Sequence, residues 1–210
     1  MWPLFDLRIT FNNTVLRPVR ETDLNELARI LPDDYEHDPS SSLLLGLDLA
    51  SNRRRLLFKN HWRNWGTWSV ESWTLDFCVI YQGQVVGIQA LEADHFVELR
   101  TVDSGSWLAP DYRGAGLGTS MRIAILRFAF DHLGAQAAIT SARSENAASL
   151  GVSRRMGYRD NGVSTSRSPS GPCQLHHMCL TRDQWQKSSL ADSVVATGLI
   201  GCALNFGLEQ

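Results

Sequence analysis

Cysteine is scarce and poorly spaced for structural work. The four in this chain of 210 residues (Cys78, Cys173, Cys179, Cys202) form no C-x-x-C pair, so neither a disulfide framework nor a zinc ribbon is expected. No apolar stretch approaches the roughly 20 residues that a membrane helix needs, so no membrane partner is expected. The opening M-W-P-L-F-D-L-R has no basic region ahead of an apolar one. A secretory leader is therefore not expected, and a cytoplasmic location is. Neither sign of charge dominates: 20 Lys and Arg stand against 22 Asp and Glu, a net charge of −2. A nucleic-acid partner calls for a basic excess, so none is expected either. Repeats and low-complexity segments are missing too. The length suits one domain with a real core rather than two.

Cys173, His176, His177 and Cys179 lie close in sequence and invite a zinc reading. Yet Cys173, Leu175, His177 and Cys179 alternate like one face of a strand, and neighbours on one strand rarely close a tetrahedral site. Metal binding there is the weaker reading, and no metal is expected.

The most informative stretch is Ser106 to Asp131, S-W-L-A-P-D-Y-R-G-A-G-L-G-T-S-M-R-I-A-I-L-R-F-A-F-D. Trp107 and Leu108 end a strand that Pro110 closes, because proline cannot donate to a ladder. Arg113, Gly114, Gly116 and Gly118 then lead into a helical pattern carrying Met121, Ile125 and Phe128. Glycines let a backbone approach a ligand closely, and the first amides of a helix have no partner within it. Such a loop takes anions, phosphate above all. A nucleotide P-loop needs a lysine after the last glycine, and here Thr119 and Ser120 follow. A dinucleotide fingerprint needs a sixth-place glycine, and Thr119 or Met121 stands there. What fits is Arg-x-x-Gly-x-Gly, from Arg113, Gly116 and Gly118.

That pattern resembles the pyrophosphate loop of the GNAT superfamily of acyl-CoA-dependent N-acetyltransferases. W-L-A-P-D-Y-R-G-A-G-L-G is similar to the strand-to-loop passage of its RimJ/RimL-like branch. Downstream, Ser144 to Ser149 and then Arg155-Met156-Gly157-Tyr158 resemble the branch's N-x-x-S…G-F/Y segment. Leu16-Arg17-Pro18 with Asp23-Leu24 looks like its opening, and Asp183-Gln184-Trp185 like its closing element. The resemblance spans most of residues 5–187. It implies an α+β layered sandwich: a mixed, mostly antiparallel sheet flanked by helices, with splayed central strands. The GNAT domain would be residues 1–187, with 188–210 an apolar extension packing back on it.

The elements read in keeping with this. A hairpin turns at Asn12-Asn13, and Thr22 or Asp23 caps a helix that ends at Pro32. An acidic loop runs from Asp33 to Pro39, either a solvated connection or one wall of an acceptor's entrance. A helix runs from Leu47 to about Trp65, carrying Arg53-Arg54-Arg55 on a solvated face. Trp62, Trp65, Trp68 and Trp73 follow, to be read as core first and as an aromatic pocket wall second. Strands Thr74–Val79 and Gln84–Glu92 turn at Gln82-Gly83, and Phe96–Trp107 reads as one more strand. Then come a strand Ala135–Ser141, a helix from Ser144 or Asn146 to Gly157, and a hairpin of Tyr158–Ser166 with Cys173–Thr181. Hairpins followed by strand–helix–strand–helix indicate α+β layers.

The resemblance further implies acetyl-CoA as co-substrate and an amine as acceptor: a protein lysine, a protein N-terminus or a small molecule. A homodimer is compatible with it. The pantetheine would lie along Trp107-Leu108-Ala109, with an amide near Leu108 on the thioester oxygen. The pyrophosphate would take the amides of Arg113, Gly114, Ala115, Gly116, Leu117, Gly118 and Thr119. The family's strand carboxylate maps onto Asp103, since V-D-S-G-S-W-L replaces A-E-(apolar)-G-(aromatic)-W. Aspartate is the shorter, so a water relay is expected, and Glu98 is the fallback; an exposed structural carboxylate is the competing reading for both. The tyrosine many relatives place seven residues after the asparagine matching Asn146 is replaced by Ser153. Ser149 is then the candidate acid, or equally a helix-start residue bonding backbone amides. Asn146 would orient the pantetheine, cap the helix, or both. The missing tyrosine keeps open a non-catalytic acyl-CoA sensor or interaction module.

Overall fold

The computed structural model describes residues 2–35, 41–168, 171–188 and 194–208. Ile9 and Phe11, alternating with polar neighbours, make β1 (Arg8–Phe11) a half-buried strand. The Asn12-Asn13 turn, with Asn12 at φ 50°, returns the chain as β2 (Thr14–Pro18). Helix α1 (Leu24–Ile30) buries Leu24, Leu27 and Ala28 and stops short of Pro32. Asp23 does not cap it. Its carboxylate instead accepts two bonds of 2.7 Å from Arg17 and one of 2.8 Å from the Arg20 amide. Helix α2 (Leu49–Gly66) starts at Asp48, whose side chain accepts from the Ser51 amide at 2.6 Å. β3 (Trp73–Tyr81) and β4 (Gln84–Ala93) form a long hairpin. Its Gln82-Gly83 turn has φ of 50° and 80°, the left-handed pair that a tight hairpin needs.

Residues 96–107 do not form the single strand expected of them. Phe96–Leu99 is one helical turn, α3, bracketed by His95 and Arg100 in left-handed conformations (φ 49° and 46°). The Phe96 amide goes to the Glu71 carbonyl at 2.9 Å rather than into a ladder. The strand itself comes in two pieces, β5 (Thr101–Asp103) and β6 (Ser106–Leu108), parted at Ser104-Gly105. Beyond them lie α4 (Leu117–Arg127), β7 (Ala137–Arg143), α5 (Ala147–Arg155), β8 (Arg159–Ser168), β9 (Gly171–Thr181), α6 (Arg182–Gln186) and β10 (Val195–Thr197).

The strands make one sheet in the order β10-β1-β2-β3-β4-β5-β7-β9-β8, with β6 also on β4. Every pairing is antiparallel except β5 with β7. That parallel ladder ends at Asp103↔Ile139, and from Ser106 onward the strand pairs with β4 alone. The centre of the sheet therefore splays into a gap between β6 and β7. The larger core lies on the α4 side, where Phe77, Phe128, Leu16, Leu91 and Ile125 are buried. A smaller cluster of Val19, Leu24, Leu27, Leu57, Cys78 and Ile88 lies on the opposite face, against α1 and α2. This is the α+β layered sandwich expected.

The tryptophans are mainly core. Trp65, Trp68 and Trp73 stack at 5.9 and 5.7 Å, and Trp73 is buried, whereas Trp62 is exposed. Near the C-terminus β10 pairs with β1, and buried Phe206 sets its ring edge-on to Trp68, Trp73 and Phe128. Residues 189–193, 209 and 210 of the expected extension lie outside the described residues, as do 36–40 of the acidic loop.

Candidate active site

The splay and the glycine loop meet at the end of β6. Ala90 N donates to Gly105 O at 2.7 Å and Ala109 N to Val86 O at 2.9 Å. In an antiparallel ladder the bonding direction alternates, so between these rungs the Leu108 amide turns away from β4 and into the gap. Gly87 makes this approach feasible: a Cβ there would lie 2.2 Å from the Trp107 carbonyl oxygen.

After Leu108 the chain makes a short turn over Pro110–Tyr112 and reaches Arg113. Gly114 and Gly116 both take left-handed φ (79° and 83°), which a side chain would strain. Gly116 is the N-cap of α4, and its carbonyl accepts from Thr119 and Ser120 at 3.0 and 3.1 Å. The amides of Gly114, Ala115, Gly116, Leu117 and Gly118 precede the first of these bonds, with no acceptor among the described residues. They gather at the positive end of an 11-residue helix. Thr119 differs, its amide being taken within the helix while its hydroxyl accepts from Arg155 of α5 at 3.2 Å.

The Arg113 guanidinium is not simply open. Its Nε donates to the Leu108 carbonyl at 3.0 Å, and its two Nη atoms grip Asp34 at 2.6 and 2.9 Å. The pairing holds the Asp34 carboxyl below its ordinary range. Next to Asp34, Tyr35 packs edge-on to Trp107 at 6.1 Å. The described part of the acidic loop is thus anchored to both the strand end and the phosphate-type loop.

On the sheet face toward α2, Thr74, Glu92 and Asp103 form one row across β3, β4 and β5. Asp103 opens into a cavity of about 560 Å³, which Trp73, Thr74, Glu92, Leu99 and Ile139 also line. Burial, reinforced by Glu92's charge, pushes its carboxyl up to about 6, against the pull of the Ser104 amide 2.6 Å away. Glu98 stands exposed on α3 and does not line this cavity. Arg122, Ser104 and Tyr158 are nearly fully buried nearby and interact with one another or with Asp103. A buried arginine on α4 was invisible to the apolar periodicity that marked the helix.

Asn146 caps α5, its Oδ1 accepting from the Ser149 amide at 3.0 Å. Ser149 is half-buried on the first turn, in the helix that follows β7. On β9, His176 bonds Ser144 at 3.1 Å and His177 bonds Ser164 at 2.7 Å. Among the described residues no three His, Cys, Asp or Glu side chains gather to hold a metal ion. Nor is any described helix long and apolar enough to cross a membrane.

Solved structures share this architecture. Mycobacterium smegmatis RimJ in complex with CoA-disulfide superposes with a TM-score of 0.68 at 19% identity, covering 96% of each chain. RimL, a ribosomal alpha-N-protein acetyltransferase, gives 0.66 at 15% identity over 83% of this chain and 93% of its own. A chimeric spermidine N-acetyltransferase from Vibrio cholerae and hSSAT gives 0.65 at 15% identity over 84% and 100%. At these identities the likeness is one of fold. The family follows from sequence: the acetyltransferase (GNAT) domain pattern matches residues 13–159, through the splayed strand, the glycine loop and α5, and the chain belongs to the GNAT acetyltransferase family.

Proposed function

We propose that the protein is an acetyl-CoA-dependent N-acetyltransferase that moves acetyl from CoA to a primary amine by direct attack in a ternary complex. The observation that carries this reading is the row of unpaired amides from Gly114 to Gly118, set at the mouth of the gap between β6 and β7. The row suits a diphosphate and the gap an extended pantetheine arm, with Trp107, Leu108 and Ala109 along one side. Two fold neighbours carry names with amine acceptors, a ribosomal protein terminus and spermidine.

The reaction needs a neutral amine, a donor on the oxyanion and a proton for the departing thiolate. In this reading Asp103, near pH 6, accepts the ammonium proton through water. The Leu108 amide holds the thioester oxygen as the N–C bond forms. Ser149 supplies a proton as the C–S bond breaks, and Asn146 fixes the turn that carries it.

Gly116→Glu tests the placement, because it puts a carboxylate where phosphate would sit. Calorimetry should show wild-type protein binding acetyl-CoA at micromolar strength or better, and the variant should bind none while melting cooperatively. Unchanged affinity in a folded variant would remove the anion site. Tight binding without amine-dependent thiol release across peptides, lysine-like amines and aromatic hydrazides would leave a CoA-binding module.

A further inference from the structure

A second cavity, of about 290 Å³, opens on the same sheet face between α2 and the β3–β4 hairpin. Thr74 and Glu92, whose side chains meet at 3.3 Å, border both cavities. One wall of the smaller one is Gly105-Ser106-Trp107, the strand that leads to the Leu108 amide. Asp103 does not line it. The carboxylate that does, besides Glu92, is Asp76 of β3, held by the Asn64 side-chain amide at 2.9 Å.

The lining has two characters. Leu57, Ile88, Tyr35 and Trp107 supply apolar and aromatic surface, the last two meeting edge to face. Asp76, Asn64 and His61 supply polar groups. His61 is only 6% exposed, with its ring edge-on to Trp65 at 6.2 Å. The volume is small: ligand pockets for drug-sized molecules run from roughly 300 to 1,000 Å³.

We propose that Asp76, steadied by Asn64, receives the acceptor's ammonium in this cleft as a docking step, ahead of the deprotonation that Asp103 carries out through water across the shared Thr74–Glu92 border, and that the acceptor is a compact primary amine with an apolar or aromatic body. The assignment rests on the acyltransferase reading. The charged and titratable groups around Asp76 are His61 and Arg63 from α2, Glu92 from β4, Tyr35 from the acidic loop and, two residues along β3, Cys78. Burial first, then Glu92's charge, pushes the Asp76 carboxyl up to about 6, while Asn64 and Arg63 oppose. Arg63 and the Asn64 N–H favour the ionised form, the one that pairs with a cation.

Phenethylamine is the probe, titrated by calorimetry into the full chain saturated with CoA. Wild-type protein should bind it, and Asp76→Asn should weaken it by about 10–100-fold, the range for a lost charge-assisted contact. Acetyl-CoA affinity should stay within about twofold in the same variant, and KM for the amine should rise more than kcat falls. A short peptide with a free N-terminus should bind neither protein. Should Asp76→Asn fail to fold, Asn64→Ala must show the same pattern in weaker form. Equal phenethylamine affinity in wild type and variant, no phenethylamine binding at all, or preference for the peptide would overturn the assignment while acetyl-CoA binding left the acyltransferase reading standing. Loss of acetyl-CoA binding by wild type would instead remove that reading, and this assignment with it.

Discussion

Asp103 is expected to behave as a group placed for chemistry at the expense of stability. Its ordinary value is near 3.8, and burial moves it to about 6 in the folded protein. The folded state therefore holds the proton more tightly than the unfolded chain. The associated stability is complete below about pH 4 and is lost as pH rises through 6. That shift corresponds to roughly 3 kcal/mol, which the opening of Asp103 into the cavity discounts to about 1–2. Asp103→Asn should accordingly melt about 2–8 °C higher than wild type at pH 8, at roughly 2–4 °C per kcal/mol for this size, and level with it at pH 3.5. Its kcat should drop by roughly 10²–10⁴, and an inflection near pH 6 in kcat/KM should vanish. A lower melting temperature at pH 8 would contradict the burial account. Asp103 could be singled out as a candidate from the sequence because its clue is local, a carboxylate four residues ahead of Trp107. Asp76 was not, since its setting is made by Asn64 on α2, Ile88 on β4 and Trp107 on β6, all distant along the chain.

Among elements, the strand–loop–helix passage was legible for the same reason: proline, glycines and apolar periodicity all act within a few residues of one another. Residues 96–107 misled because Phe96, Val102 and Leu108 stand at even spacing, as on one face of a strand. Periodicity cannot register left-handed turns at His95 and Arg100, nor the break at Ser104-Gly105 that lets β6 leave β7. The link between Asp34 and Arg113 was equally hidden, for 79 residues separate them. It makes the acidic loop a competitor for the arginine that the phosphate reading assigns to CoA. Both side chains are substantially exposed, so the pair is worth at most about 1 kcal/mol. Asp34→Ala should then tighten CoA binding about two- to fivefold at low salt, with the gain shrinking toward nothing near 1 M salt, where the screening length falls to about 3 Å. Weaker binding would mean instead that Asp34 holds Arg113 in its working pose.

For the molecule as a whole, the question is whether residues 194–208 belong to the cooperative unit or hang from it. β10 caps the sheet beside β1, and Trp68 donates its indole N–H to the Asn205 carbonyl at 3.2 Å. Phe206 is fully buried, with its ring centroid 5.1 Å from that of Trp73. Trp73 in turn lines the cavity into which Asp103 opens, so the last described helical turn supports a wall of the candidate site from behind. Sequence alone showed an apolar tail but not its dock, because the docking surface is assembled from Trp68, Trp73 and Phe128 only once the sheet has formed. Replacing a buried phenylalanine by alanine costs about 3–5 kcal/mol, a large part of the roughly 5–15 that holds a domain folded. Phe206→Ala should therefore lower the melting temperature by roughly 6–20 °C in a single cooperative transition. Below that transition, CoA affinity should be unchanged, because Gly114–Gly118 lie outside the tryptophan stack, while kcat should fall as the Trp73 wall loosens. A variant that melts like wild type would show that the C-terminal segment rests on the fold without holding it together.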